Sequence, residues 1–296
     1  MKKRMLEYLG IFIFVLCFIS CNGSNTPGES TGFLGSSLSC PSASLWPDGA
    51  WVRYKQIRLD SEGNSSEGTL QVSAVGKEMV DNTPYYWIEL REDKKDGGVV
   101  ITKFLASENT AFNPIESMNF WDDIKRIIIQ ENTNTPEEIP APHLKRFTPT
   151  FVESVKSRRF GNVNDVVEPE ITELPDITVT VGGKELNCPG KRVVRKFTSM
   201  VNLGFLHLED TTESATELYT HPEVPFGGIA KVTHTSTTFT VNKLRPEEEP
   251  KAPIRFENSM VLEDFGISGA KSQIIGTPVE KEVLPFPFLK GKTQHS

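Results

Sequence analysis

Residues 50–106 read AWVRYKQIRLD, SEGNSS, EGTLQVSAVGKE, MVDNT, PYYWIELRE, DKKDG and GVVITKFLA in succession. Four of these segments are rich in β-branched and aromatic residues, and short turn-forming segments separate them. Strands at such short, regular spacing are typical of an antiparallel meander. In the third strand-forming stretch, PYYWIELRE, Tyr86, Ile88 and Leu90 share one face. The opposite face mixes apolar and charged residues. The stretch therefore predicts a β-sheet with one apolar face.

The sequence after this meander changes its period. Residues 113–116 read NPIE, which offers an N-cap, a proline at the first helical position and an acidic residue at the third. We expect a helix from there to about Gln130, packed on the sheet through one apolar stripe. The residues of that stripe are Met118, Trp121, Ile124 and Ile128. Residues 133–149 hold several prolines among polar residues, which argues against a strand there.

Strand patterns resume in the second half. Residues 176–181 and 184–186 flank Gly182-Gly183, a hairpin signal because glycine accepts positive φ. Further strand candidates are residues 192–201, 216–220 and 228–244, and residues 260–275 predict a last strand or a short helix. The long, polar stretch 228–244 predicts a curved strand and not a flat strand of the core. The fold class expected is mainly β (α+β), with a curved antiparallel sheet or unclosed barrel wrapped around a helical insertion at about residues 113–160.

The amino terminus has the features of an export signal. Residues 1–4 read MKKR, and residues 9–19 form an apolar run. At about 1.5 Å per residue this run is roughly half as long as a ~30 Å hydrocarbon core, so it is too short to span a bilayer. Phe18-Ile19-Ser20-Cys21 resembles a bacterial lipobox, in which a small residue precedes the cysteine that becomes acylated. A plain signal peptide cleaved nearby, or a short amino-terminal anchor, is the alternative.

Composition downstream of Cys21 predicts a tethered domain. The residues that follow are dominated by Asn, Gly, Ser, Thr and Pro, which bury too little apolar area to become ordered. The expected organisation is a signal peptide at 1–20, a lipidated flexible tether at 21–44, a single β-rich domain at 45–285 and a tail at 286–296. Asn22 follows Cys21, which by resemblance to sorting in two-membraned bacteria favours the outer over the inner membrane. We therefore expect a cell-envelope protein held to a membrane by lipid, such as palmitate, on Cys21.

The charge of the chain argues against a nucleic-acid partner, and its cysteines include one candidate disulfide pair. The chain has 32 Lys and Arg against 39 Asp and Glu, a net charge of -7, and its basic cluster is confined to residues 1–4. Nucleic acid is therefore not an expected partner, since phosphate neutralisation needs clustered basic residues. Once the signal is removed and Cys21 acylated, Cys40 and Cys188 remain. They are a disulfide candidate in an exported protein, with two unpaired thiols as the alternative.

Motifs that carry chemistry are not evident. None of the five histidines has a metal-ligand spacing, so we expect no metal, no cofactor and no catalytic residue. Residues 207–210, HLED, are the nearest to a ligand cluster, and residues 266–270, GISGA, miss the G-x-S-x-G elbow by one place. Four acidic residues lie close together at the start of the second half of the chain. They predict a solubilising loop and not the pair of catalytic carboxylates of a glycosidase. These residues are Asp165, Glu168, Glu170 and Glu173.

Aromatic residues concentrate in the first half of the chain. Core packing explains such residues, but some could instead line an apolar hollow between sheet and helix. The candidates for ligand contact are Trp51, Tyr54, Tyr86, Trp87, Phe104 and Trp121.

Three short segments resemble exported bacterial proteins with a lipoprotein-carrier-like (LolA/LolB-like) fold. They are residues 219–232, YTHPEVPFGGIAKV, residues 265–272, FGISGAKS, and residues 47–52, PDGAWV. The resemblance implies an unclosed β-barrel, a curved sheet that cups a helix, with an apolar hollow able to take an acyl chain. The function expected is that of a non-enzymatic envelope lipoprotein that binds an apolar or lipid ligand there.

Two alternatives remain open. An interaction protein without a small ligand would bind another envelope protein through the proline-rich insertion and exposed strand edges. A hydrolase with dispersed catalytic residues would need a serine and a histidine within hydrogen-bond reach.

Overall fold

The computed structural model describes residues 47–108, 123–140, 165–166, 169–202, 207–244 and 252–280. These residues form one 13-stranded sheet. The membrane signal, the tether and the tail predicted from the sequence lie outside the described residues.

The first four strands form the predicted meander. They are β1 (Trp51–Leu59), β2 (Ser65–Val80), β3 (Thr83–Lys94) and β4 (Val99–Ser107). Each pairs antiparallel with the next. The alternation predicted for the third strand is confirmed, because Tyr86, Ile88 and Leu90 belong to one apolar cluster and Tyr85 and Trp87 to another.

The next two strands lie where the sequence predicted a helix and an irregular segment. The expected helix extended to Gln130, but β5 (Arg126–Glu131) pairs antiparallel with β4, and Ile128 lies opposite Lys103. The helical insertion is therefore not supported, and residues 113–122 lie outside the described residues. Residues 133–149 were expected to hold no strand, yet β6 (Glu137–Pro140) pairs with β5. Pro140 ends this strand, a position where the missing N–H is tolerated.

The stretches 176–181, 184–186, 192–201 and 216–220 lie in strands, as predicted, but these strands are longer than expected. The described part of the second half contributes seven strands. They are β7 (Asp165–Val166), β8 (Glu170–Val181), β9 (Lys184–Asn202), β10 (His207–Thr220), β11 (Ile229–Asn242), β12 (Ile254–Gly266) and β13 (Val279–Glu280). Gly182 and Gly183 join β8 to β9 with φ values of 56° and 82°, which confirms the predicted hairpin. Residues 260–275 are strand only as far as Gly266.

The two halves meet where β1 pairs with β12. Along the sheet the order is β13, β6, β5, β4, β3, β2, β1, β12, β11, β10, β9 and β7, and β8 also pairs with β9. The sheet is unclosed, because β13 and β6 lie at one end of this order and β7 and β8 at the other. Strand β8 nevertheless contacts β12. The sheet therefore curves back on itself.

The two faces of the sheet bury different clusters. The larger cluster includes Val52, Tyr54, Ile88, Phe104 and Met260, and we call its side of the sheet the core face. Loop residues Val224 and Phe226 and the β8–β9 hairpin join the same cluster. The opposite, outer face holds a smaller cluster of Tyr85, Trp87, Leu105 and Ile128, named here the outer cluster.

Candidate functional site

The aromatic residues predicted to contact a ligand do not lie together. Tyr54, Tyr86 and Phe104 are buried on the core face. Trp87 belongs to the outer cluster. Trp51 alternates with Val52, which places it on the outer face, and a Cβ added at Gly266 would lie 2.6 Å from its indole nitrogen. Trp121 lies outside the described residues.

Of the cysteines singled out in the sequence, the structure describes Cys188. Its side chain is buried, and its thiol donates to the carbonyl oxygen of Leu186 at 3.4 Å. Burial raises the pKa of this thiol, which keeps it protonated. Cys21 and Cys40 lie outside the described residues, so lipidation and the disulfide stay predictions.

The described residues hold no group of three or more His, Cys, Asp or Glu side chains placed to bind a metal ion. Glu170 and Glu173 are exposed, but they lie on strand β8 and not on the solubilising loop that was expected. Within the same part of the chain, no helix is long and apolar enough to cross a membrane.

The buried interior of the core face opens along β12. Leu262 and Met260 are buried, and Asn258 is 8% exposed. Phe256 and Ile254 continue the same face but are 45% and 44% exposed. Apolar side chains thus extend past the packed core to the surface. We call this transition, at Asn258, the mouth of the core face.

A hydrogen-bonded network crosses the mouth. The Gln56 amide donates to Asn258 Oδ1 at 3.2 Å, and Arg58 donates to Gln56 Oε1 at 2.7 Å. Arg58 also donates to Glu92 Oε1 at 3.1 Å. Burial of such groups costs free energy unless they are hydrogen-bonded, so each member orients the next. These four residues are named the mouth network.

Beyond Asn258, the mouth continues to a histidine. His234 lies opposite Asn258 on β11, and its Nδ1 is 3.0 Å from the hydroxyl of Thr216 on β10. Burial, and then the charge of Arg195, lower the pKa of His234 to about 4. The imidazole is therefore neutral at pH 7 and a weak base. A hydroxyl and an imidazole do meet here, but the charge beside them is a guanidinium, which opposes the imidazolium that a hydrolase would need.

Stability should fall in acid because of His234. An unfolded histidine titrates near pH 6.5, whereas the folded one titrates near pH 4. The folded state binds fewer protons between these values, so its stabilisation is complete above pH 6.5 and is lost as the pH falls towards 4. We expect this residue to account for about 2 kcal/mol of the loss. Urea unfolding at pH 7 and pH 4.5 measures it, and H234Q should show a smaller loss. An equal loss in both proteins would contradict the assignment.

Tyr54 lies two same-face residue pairs inside the mouth, counted from Arg58 and Asn258. It is opposite Leu262, next to the pair of Gln56 and Met260. Its side chain is 3% exposed, and burial raises the pKa of its phenol, which stays protonated. No described residue forms a hydrogen bond with its hydroxyl. A buried polar group in this state costs free energy until a partner arrives.

Removing that hydroxyl should stabilise the protein without ligand. Because a buried unsatisfied group costs about 1–3 kcal/mol, we expect Y54F to raise the free energy of unfolding by about 1 kcal/mol. Urea unfolding of delipidated protein measures the change. The matched variant Y85F, on the outer face, should not produce this gain. A loss of stability in Y54F would show that the hydroxyl already has a partner.

Four residues of the mouth were not predicted from the sequence: Gln56, Arg58, Asn258 and His234. A signal was present, because Val52, Tyr54, Gln56 and Arg58 alternate along β1 and must share a face. The same period links Leu262, Met260 and Asn258 on β12. Polar residues at the end of an apolar face mark the place where that face reaches the surface.

Comparisons with known proteins give weak likenesses only. No protein-family model and no curated protein matches the chain. A proposed lipoprotein from Parabacteroides distasonis is 11% identical, with a TM-score of 0.29, covering 77% of this chain and 100% of its own. A proposed exported protein with a YmcC-like fold from Bacteroides fragilis is 8% identical, with a TM-score of 0.27, covering 74% and 96%. At such TM-scores, neither likeness carries an argument about function.

Proposed function

We propose that this protein is a lipid-anchored, non-enzymatic protein of the cell envelope that binds an amphipathic ligand at the mouth. The lipobox at Phe18-Ile19-Ser20-Cys21 and the polar tether after it support export and anchoring. The outer membrane remains the favoured location because Asn22 follows Cys21.

The hydroxyl of Tyr54 is the observation that carries the binding proposal. The phenol is protonated and has no hydrogen-bond partner among the described residues, so it offers a hydrogen bond to an acceptor atom. The mouth network beside it holds its own polar groups in place. A lipid carbonyl or ester oxygen supplies such an acceptor. Phe256 and Ile254 then cover the apolar part of the ligand, which gains about 25 cal/mol per Å² of apolar area removed from water.

This proposal places the ligand differently from the hollow expected between sheet and helix. Tyr86 and Phe104 are packed within the core cluster, and Trp87 lies on the other side of the sheet. The ligand therefore contacts the mouth and approaches Tyr54 from the surface, with Gln56 and Asn258 along its path.

Native mass spectrometry of the chain from residue 21, carrying C21S and purified from periplasm without detergent, tests the proposal. Before measurement, the protein is incubated with phosphatidylethanolamine and phosphatidylglycerol vesicles. We expect a stoichiometric lipid adduct whose occupancy falls about tenfold in Y54F, because a buried hydrogen bond to the ligand is lost. The control Y85F should keep its adduct. A protein without adducts, or equal occupancy in Y54F and Y85F, would overturn the assignment.

A further inference from the structure

An extended segment crosses the outer face after β12. Residues 267–280, named the strap, leave Gly266, pass over strands β3, β4 and β5, and end as β13 beside β6. Near its start, Ala270 N–H donates to the carbonyl oxygen of Gly49 at 2.9 Å, and near its end Val279 N–H donates to that of Pro136 at 2.9 Å. Between these points the strap is held by side chains.

Two buried polar side chains of the sheet recognise the strap. Glu89, 2% exposed, accepts hydrogen bonds from the Ser272 hydroxyl at 2.7 Å and the Gln273 N–H at 2.9 Å. Gln130, 1% exposed, accepts from the Ile275 N–H at 2.9 Å and donates to its carbonyl oxygen at 2.8 Å. The Gln130 amide thus bonds Ile275 as a neighbouring strand would.

Apolar contact and fixed charges complete the surface under the strap. Ile274 packs on the outer cluster. Lys103 and Arg126 lie over the ring of Trp87, at 4.9 and 5.1 Å from its centroid. Arg126 is also held by Glu138 at 2.6 Å and Glu78 at 3.2 Å. The contacts of Arg126 lie within the sheet, whereas Lys103 also donates to the Ser272 hydroxyl of the strap at 3.2 Å.

The carboxyl end of the strap is its most weakly attached part. Strand β13 has two residues and pairs in parallel with β6, whereas the other strand pairs of the described sheet are antiparallel. Ile275 remains 70% exposed and Val279 59% exposed. Strand β12 pairs with β1 up to Gly266, just before the strap begins, and with β11 from Ile254 to Val261. Gly269, with a φ of 95°, offers a pivot.

We propose that the outer face of β3, β4 and β5 is a strand-binding site that accepts residues 271–279 from a second copy of this chain. This occupant is the one that the site fits, since Glu89, Gln130 and the outer cluster each contact that segment already. Exchange of straps between two copies forms the same contacts as the single copy does, so it costs little once copies are concentrated on a membrane. The site rests on the outer face and is independent of the mouth, whereas the concentration of copies on a membrane rests on the anchoring in the proposed function.

A labelled peptide with the sequence of residues 271–279, KSQIIGTPV, tests the site in the full chain. I274D should loosen the resident strap without altering Glu89 or Gln130. We expect fluorescence anisotropy to show the peptide binding I274D at least tenfold more tightly than the unaltered chain, where the resident strap competes. The double variant I274D/Q130A lacks the amide that bonds Ile275 and should not bind. Far-ultraviolet circular dichroism checks that both variants keep the sheet.

A second measurement tests whether the strap of a second copy occupies the site. Two differently tagged copies of the unaltered chain are concentrated together, diluted and purified through one tag. We expect the second copy to be recovered, and the Q130A chain to lose this recovery. Absence of peptide binding to a folded I274D chain would overturn the site. Peptide binding without recovery of the second copy would overturn exchange between copies and assign the site to a segment of another protein.

Discussion

Replacing Phe104 with alanine should lower the free energy of unfolding by about 3–5 kcal/mol. Phe104 is 1% exposed on the core face, between its strand neighbours Ile88 on β3 and Ile127 on β5. The truncated side chain would leave a cavity that three paired strands cannot fill by moving together. Urea unfolding of F104A and the unaltered protein measures the difference.

F256A is the matched control for this prediction. Phe256 lies on the same face but is 45% exposed, so its truncation should cost less than about 1 kcal/mol without ligand. The difference between the two losses in free energy of unfolding distinguishes a packed core residue from a residue on the proposed ligand-binding surface. If F104A cost no more than F256A, Phe104 would line a hollow, as the aromatic pattern allowed, and the ligand would lie deeper than the mouth.

Strong local signals explain what the sequence predicted correctly. The alternation of Tyr86, Ile88 and Leu90 specifies a face because a strand sends successive side chains to opposite sides. Gly182-Gly183 specifies a hairpin because both residues adopt positive φ. Such patterns need no knowledge of distant parts of the chain.

The expected helix through Gln130 was wrong for a physical reason. The capping pattern at residues 113–116 is local, whereas the run Ile127-Ile128-Ile129 favours a strand, because β-branched side chains pack well on a pleated sheet. Pairing with β4 then buries Ile127 on the core face and Ile128 on the outer face. Tertiary pairing decided between two local preferences.

The candidate sites depend on contacts that no local pattern shows. Gln56 and Asn258 are 202 positions apart, and Glu89 and Ser272 are 183 apart. They meet because β1 pairs with β12 and because the strap returns over β3. In the sequence alone, a glutamate on the mixed face of a strand such as Glu89 reads as solvated, although it is among the most buried residues of the described chain.

C21S should release the protein from the membrane almost completely. Acyl groups on Cys21 would contribute about 0.8 kcal/mol per buried CH₂, which is the attachment that the substitution removes. Loss of residues 1–20 takes three basic residues and Glu7 from totals of 32 and 39, leaving 29 and 38 and a net charge of -9. An acidic domain has no electrostatic attraction to anionic lipid. Fractionation of cells without detergent should find the variant in the soluble periplasm.

C17S provides the matched control, because Cys17 lies four positions earlier, inside the apolar run of the signal. It should leave the protein in the membrane fraction. Metabolic labelling with palmitate should mark the C17S protein and the unaltered protein but not C21S. A C21S protein that stays in the membrane would mean that the apolar run at residues 9–19 is retained as an anchor. The mouth would then be presented by a different attachment, with its contacts at Tyr54 and Asn258 unchanged.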